Sequence, residues 1–167
     1  MKSQIISQTQ TSMLISGVVK ITYDKKDDEA IIKYALLNFK NDLTNVLGEE
    51  VILATASKNS KIIVSTIDTS LAKSQKNYEL LREALNKKEQ YIITVFEGQL
   101  QLIGSDRRGT IYAIYEFLDQ IGVSPWHYWM DVPIKKQAEI YLNESFFLID
   151  APKVEKRGFF INDEWPA

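Results

Sequence analysis

Hydrophobic positions along the chain alternate between the periodicity of helices and the short runs typical of strands. Apolar side chains recur every three or four residues over about 28–47, over 70–88, and from Gly104–Asp106 to Gly122, which predicts three helices. Short apolar, β-branched runs predict strands around them. These runs lie at 13–15, 18–21, 51–54, 62–67, 91–96, 100–103, 138–149 and 159–161. Helices alternating with strands predict an α/β sheet with helices packed on it.

Local signals refine this prediction. Glu97–Gln99 is typical of a tight turn, so the strands on either side of it form a hairpin, and the sheet is mixed rather than all parallel. The runs around Gly17 indicate a strand or a second hairpin. Residues 1–12 are polar and suggest a lead-in or an edge strand. The one candidate domain boundary lies near Asp150-Ala151-Pro152, and it divides the chain into 1–150 and 151–167.

Composition excludes several classes of function. The chain has 167 residues, no cysteine, one histidine and a formal net charge of −2. Disulfides, thiolate metal sites and multi-histidine metal sites are therefore ruled out within one chain. The charge balance disfavours nucleic acid and anionic membranes as partners, because both need a basic face. No cofactor fingerprint is present, so we expect neither a cofactor nor a bound metal.

The N-terminal residues do not resemble an export signal. Residues 1–12 lack the apolar core that such signals need, and no stretch is long and apolar enough for a membrane span. We expect the chain as given to be soluble.

The segment Gly104–Thr110 lies between a predicted strand and a predicted helix, where free backbone N–H groups favour anions. Its two glycines have the spacing of a phosphate loop, but Thr110 stands where that loop needs lysine. We therefore expect Ser105 or Asp106 to cap the helix, and Arg107 and Arg108 to form ion pairs.

Trp126, Tyr128 and Trp129 cluster around His127. Flat aromatic faces suit a buried domain interface, core packing or a sugar ring. Packing is the preferred interpretation, and nothing near His127 orients it as a catalytic base.

Near the C-terminus, Asn162, Asp163 and Glu164 follow a short apolar run. Neighbouring carboxylates on a strand point to opposite faces, so they do not form a catalytic pair alone.

Four segments, in this order and spacing, resemble glycoside hydrolase family 115, the xylan α-glucuronidases. They are GSDRRGTIY at 104–112, IGVSPW at 121–126, WMDVP at 129–133 and RGFFINDE at 157–164. The resemblance covers about 102–166.

The resemblance implies an N-terminal accessory α/β domain over 1–150, similar to the second domain of β-N-acetylhexosaminidases. It also implies a linker and the start of a catalytic (β/α)8 barrel over 151–167. Such enzymes remove 4-O-methylglucuronic or glucuronic acid from xylan with inversion, which needs two carboxyl groups about 6.5–9.5 Å apart. Arg157–Ile161 would be the first barrel strand, and Asn162, Asp163 and Glu164 would face substrate at its carboxyl end.

One barrel strand cannot hold an acid and a base, so we expect no catalytic residue and no activity in this chain. Its expected partners are the parent's catalytic barrel and, for the parent, glucuronoxylan. We expect the parent to be periplasmic or secreted, with the cytoplasm left open. The residues expected at the barrel interface are Ser105, Asp106, Arg107, Arg108, Trp126 and Trp129. An uncovered aromatic patch also predicts weak homodimers. The alternative function is a stand-alone carbohydrate-binding module.

Overall fold

The computed structural model describes residues 12–27, 30–55 and 60–158. Within these ranges the chain forms eight strands, five α-helices and a short 3-10 helix at Lys25–Asp27. The strands are β1 Ser12–Ser16, β2 Val19–Tyr23, β3 Val51–Ala54, β4 Ile62–Thr66, β5 Tyr91–Phe96, β6 Gln99–Gly104, β7 Glu139–Asn143 and β8 Phe147–Asp150. The helices are α1 Ala30–Leu47, α2 Ser70–Lys73, α3 Tyr78–Ala84, α4 Arg107–Gln120 and α5 His127–Met130.

Six strands form one mixed sheet in the order β3-β2-β4-β6-β5-β8. The first four strands are parallel, while β5 pairs antiparallel with both β6 and β8. The predicted hairpin is confirmed, because Glu97 and Gly98 link β5 to β6 with φ of 49° and 70°. Two successive residues with positive φ match the twist of a two-residue hairpin. The predicted mixed α/β sheet is therefore confirmed.

Helices cover both faces of this sheet. Ile62 and Val64 belong to the apolar cluster that contains α1 and α4, whereas Ile63 belongs to a second cluster with Leu81 of α3. Successive side chains of a strand point to opposite faces, so the two clusters lie on opposite faces. In the larger cluster the rings of Phe39 and Phe117 meet edge to face, with centroids 5.9 Å apart. This contact joins α1 to α4.

The possible hairpin around Gly17 is not formed. β1 instead pairs antiparallel with β7 in a separate two-stranded sheet, with Met13 opposite Leu142. β2 already has parallel neighbours on both sides, β3 and β4, so it has no free edge for β1. Both Met13 and Leu142 are buried in the larger core cluster, which attaches the small sheet to the domain.

The helix predicted over 70–88 is two short helices, α2 and α3. Ser74 Oγ and Gln75 Nε2 both donate to the carbonyl of Leu71, at 2.7 and 2.9 Å. Side chains that bond nearby carbonyls compete with the regular helix pattern, and α2 ends there. The aromatic segment over 123–133 contains a further short helix, α5.

The chain leaves the domain after β8. Residues 151–158 follow without helix or strand, and the predicted boundary after residue 150 stays a prediction. The predicted strand at 159–161 and most of the predicted lead-in at 1–12 lie outside the described residues. None of the described helices is long and apolar enough to cross a membrane.

Candidate functional site

The start of α4 is bonded tightly to the segment before β5. Asp106 caps the helix, as predicted, and one of its carboxylate oxygens accepts from the N–H of Gly109 at 2.9 Å. Its other oxygen accepts from the N–H of Glu89 at 2.8 Å. Ser105 exchanges two hydrogen bonds with the backbone of Gln90, at 2.8 and 3.1 Å. The polar groups of this loop therefore serve contacts inside the domain.

The two glycines of this loop are explained by close packing. A Cβ on Gly104 would lie 2.0 Å from the backbone N of Thr110, and one on Gly109 would lie 2.3 Å from the backbone O of Gln90. Neither position has room for a side chain without movement of the backbone. The spacing that resembles a phosphate loop thus reflects the approach of α4 to the ends of β5 and β6.

Glu89 is the centre of a charged cluster at this loop. Its side chain is only 9% exposed, and one oxygen accepts from Arg108 Nη1 at 2.7 Å. Its other oxygen accepts from Nη2 of Arg157. The hydrogen bonds from Arg108 and then from Arg157 lower the pKa of Glu89 below its ordinary value. One carboxylate therefore links α4 to the segment that leaves the domain.

Arg157 also contacts Tyr112 on α4. Its Nη2 donates to the Tyr112 hydroxyl at 3.0 Å, and its guanidinium lies 5.8 Å from the centre of that ring. A guanidinium near an aromatic face is attracted by the ring quadrupole. A groove of about 590 Å³ lies beside this contact, and Pro125, Pro152 and Arg157 all line it. The segment that leaves the domain, residues 151–158 (the exit segment), and residues 123–133 (the aromatic segment) thus share one surface.

The aromatic segment leaves large side chains in solvent. Trp126 is 58% exposed, Trp129 is 81% exposed and Met130 is 68% exposed. The backbone around them is held by a hydrogen-bonding contact of 2.9 Å between His127 Nδ1 and the carbonyl of Val132. Packing inside this domain therefore does not explain these tryptophans.

Tyr128 connects the aromatic segment to α1. Its hydroxyl donates to the buried carboxylate of Asp42. Burial raises the pKa of Asp42, and the bond from Tyr128 and the nearby His127 ring oppose that rise. On the neighbouring turn of α1, Asn38 Nδ2 donates to the Tyr115 hydroxyl at 2.9 Å. These two bonds frame a pocket of about 340 Å³ between α1, α4 and α5.

The residues predicted from the sequence fall into three groups. Ser105 and Asp106 form hydrogen bonds inside the domain. Arg107 and Arg108 are exposed beside them. Trp126 and Trp129 project from the aromatic segment, and their role at an interface stays a prediction. The three residues predicted to face substrate lie outside the described part of the chain: Asn162, Asp163 and Glu164.

Sequence reasoning missed Glu89 and Asp42. Glu89 reaches Arg157 across 68 positions, and Asp42 reaches Tyr128 across 86. Each is one acidic residue among 22, so no local pattern distinguishes it. Within the described ranges, no group of three histidine, cysteine or acidic side chains is placed to hold a metal ion.

No protein-family model matches this chain, and no curated protein matches it. Among solved structures, a family GH115 4-O-methyl-α-glucuronidase with specificity for decorated arabinogalactans matches 86% of the chain at 29% identity and a TM-score of 0.75. The chain forms a GH115-like domain. The resemblance found in the sequence is thereby confirmed. This GH115-like domain spans only 19% of the neighbour's chain.

Hexosaminidases share the fold of the GH115-like domain at lower identity. The β-hexosaminidase of Streptomyces plicatus matches 87% of this chain and 24% of its own, with 11% identity and a TM-score of 0.57. The chitobiase of Flavobacterium johnsoniae matches 95% of this chain and 21% of its own, with 13% identity and a TM-score of 0.52. These likenesses confirm the predicted similarity in fold. The match to the GH115 glucuronidase, in turn, indicates a domain of a glycoside hydrolase.

Proposed function

We propose that this chain is a non-catalytic accessory domain of an α-glucuronidase related to family GH115, and that it supports the catalytic barrel of that enzyme. The observation that carries the proposal is the extent of the structural match. Most of this chain, 86%, corresponds to only 19% of a much longer glucuronidase. A match of this kind, to a small part of a longer enzyme, is what we expect of an accessory domain.

The proposed contact with the barrel combines the exit segment and the aromatic segment. Glu89 and Tyr112 hold Arg157, so the described end of the chain lies at a defined place on the domain. The aromatic segment, which carries Trp126 and Trp129, reaches the same groove as Arg157 through Pro125. Exposed tryptophans dominate the energy of many interfaces once they are buried. Arg107 and Arg108, at the start of α4, would form the polar rim.

The proposed substrate is a polysaccharide that carries glucuronic or 4-O-methylglucuronic acid. The sequence resemblance indicates xylan, and the matched glucuronidase has specificity for decorated arabinogalactans. In the parent enzyme, Asn162, Asp163 and Glu164 would face this substrate.

The absence of catalysis is tested with the purified 167-residue chain. It is incubated with glucuronoxylan and with a glucuronidated arabinogalactan, and released uronic acid is measured. We expect no release from either polymer above a heat-denatured control. Release of uronic acid from either one would contradict the proposal.

The accessory role is tested on the coding sequence and on the parent. We expect the reading frame to continue after Ala167 into a barrel domain. Deleting residues 1–150 from that longer protein should lower its thermal stability and its release of uronic acid, because the aromatic contact is lost. A reading frame that stops at Ala167, or a deletion without effect on either property, would contradict the role.

A further inference from the structure

The pocket between α1, α4 and α5 combines two kinds of side chain. Three aromatic residues and three amide or carboxylate residues line it: Tyr115, Tyr128, Trp129, Asn38, Asp42 and Asp119. Three further apolar residues complete the wall. At about 340 Å³, the pocket lies at the small end of the range known for ligand pockets.

We propose that this pocket binds a neutral sugar unit of a polysaccharide, with its ring stacked on Trp129. A sugar ring presents apolar C–H groups on its faces and hydroxyl groups on its rim, so it needs an aromatic face beside polar acceptors and donors. Trp129 lines the pocket while 81% of its surface stays in solvent, so its ring is accessible for stacking. Asn38 and Asp42 supply the polar side of the same pocket.

The polar wall is already fixed before any ligand enters. Tyr128 holds the Asp42 carboxylate, and Asn38 holds the Tyr115 hydroxyl at 2.9 Å. Asp42 is buried, and it accepts the Tyr128 bond through Oδ2. A site whose polar groups are preorganised loses less conformational entropy on binding.

The charge of the pocket selects against uronic acids. Asp42 and Asp119 both line it, and its described lining includes no lysine or arginine. A uronate carboxylate would therefore meet two side chains of like charge in this lining, which disfavours its binding. The pocket is suited to the neutral backbone sugars of a polymer, not to the glucuronic acid that the proposed parent removes.

The choice of a polysaccharide as ligand rests on the proposed function, whereas the preference for neutral over acidic sugars rests on the pocket alone. Trp126 lies outside the described lining of the pocket, so it carries the proposed barrel contact when Trp129 holds a sugar, and it serves as the matched control. The two proposals therefore fail separately. Loss of sugar binding would leave the part-to-whole match and the tests of the barrel contact unchanged.

The experiment titrates the purified chain with short oligosaccharides and follows the tryptophan side-chain N–H signals by proton–nitrogen NMR. The ligands are neutral xylo-oligosaccharides, neutral galacto-oligosaccharides and the glucuronic-acid-substituted forms of the same lengths. We expect saturable shifts with at least one neutral series at millimolar concentration, and weaker binding of its acidic counterpart. Trp129→Ala should weaken binding roughly tenfold, whereas Trp126→Ala should leave it unchanged.

Three outcomes would overturn the inference. The first is no saturable shift with any neutral oligosaccharide. The second is binding of the acidic series as tightly as the neutral one, which would contradict the role of Asp42 and Asp119. The third is equal weakening by Trp126→Ala and Trp129→Ala, which would place binding outside the pocket. Asp42→Asn keeps an acceptor for Tyr128 and removes one charge. It should therefore reduce the difference in affinity between neutral and acidic ligands.

Discussion

Glu89 has a backbone conformation that side-chain-bearing residues seldom adopt, with φ of 59°. Its N–H is bonded to Asp106 and its carboxylate to two arginines, so the surrounding contacts fix this conformation. Sparsely populated backbone conformations persist where neighbouring structure determines them in this way. At the scale of one residue, Glu89 decides where the exit segment lies.

Replacing Glu89 by glutamine should loosen that segment. Glu89→Gln keeps the shape of the side chain and removes the charge that holds Arg157. We expect trypsin to cut the native protein faster after Lys153, Lys156 and Arg157, measured by mass spectrometry over time. Glu97→Gln is the matched control, because Glu97 also has positive φ but pairs with Lys76 on the open surface. Equal cleavage rates in both variants and the original chain would contradict this role.

The same contact predicts a dependence on pH. Because the arginines lower the pKa of Glu89 below its ordinary value, its stabilising effect is fully present above the ordinary carboxyl pKa and is lost as the pH falls through the folded-state pKa. The difference in unfolding free energy between the original chain and Glu89→Gln should therefore be constant near neutral pH and shrink in acid. Urea unfolding of both proteins at several pH values measures this difference. A difference that grows in acid would contradict the lowered pKa of Glu89.

The approach of α4 to the sheet is the main feature at the scale of elements. Gly104 ends β6, Gly109 lies in the first turn of α4, and neither has room for a Cβ. Thr110 adds a contact of 3.0 Å between its hydroxyl and that of Thr66 on β4. The helix is thereby positioned against the neighbouring ends of β4, β5 and β6. This position also places Tyr112 next to Arg157.

Gly109→Ala should destabilise the domain in spite of alanine's better helix propensity. Alanine gains about 1 kcal/mol over glycine inside a helix. Its Cβ would lie 2.3 Å from a backbone oxygen, and forced overpacking costs about 1–3 kcal/mol or more when the backbone must shift. We expect a net loss in the free energy of unfolding, measured by urea denaturation. Gly158→Ala has open space around it and should change little; equal effects of both changes would contradict close packing at Gly109.

At the scale of the whole molecule, the exposed aromatic segment predicts association. Monomeric proteins seldom expose large contiguous apolar patches, and Trp126, Trp129 and Met130 lie together in solvent. We infer that the isolated chain forms weak homodimers through this face when no barrel covers it.

Sedimentation velocity over a range of concentrations tests this association. The original chain should show a concentration-dependent shift toward the dimer, and the double variant Trp126→Ala, Trp129→Ala should remain monomeric. Leu80→Ala is the matched control, because Leu80 is 59% exposed on α3, the helix on the opposite face of the sheet. A strictly monomeric original chain would contradict the prediction.

Features that depend on neighbouring residues could be predicted from the sequence. It gave the α1 and α4 stripes, the hairpin turn at Glu97 and Gly98, and the cap at Asp106, since periodicity and turn chemistry are local. It also carried the four segments that resemble family 115, which the structural comparison confirmed.

Tertiary structure alone decided which distant segments meet. The pairing of β1 with β7, the contact of Glu89 with Arg157 and the bond from Tyr128 to Asp42 all join residues far apart in the chain. No local pattern encodes these pairings. They form when helices pack on both faces of the sheet, because the remaining strand edges and buried carboxylates then need hydrogen-bond partners from distant parts of the chain. The proposed barrel contact and the proposed sugar pocket both depend on them.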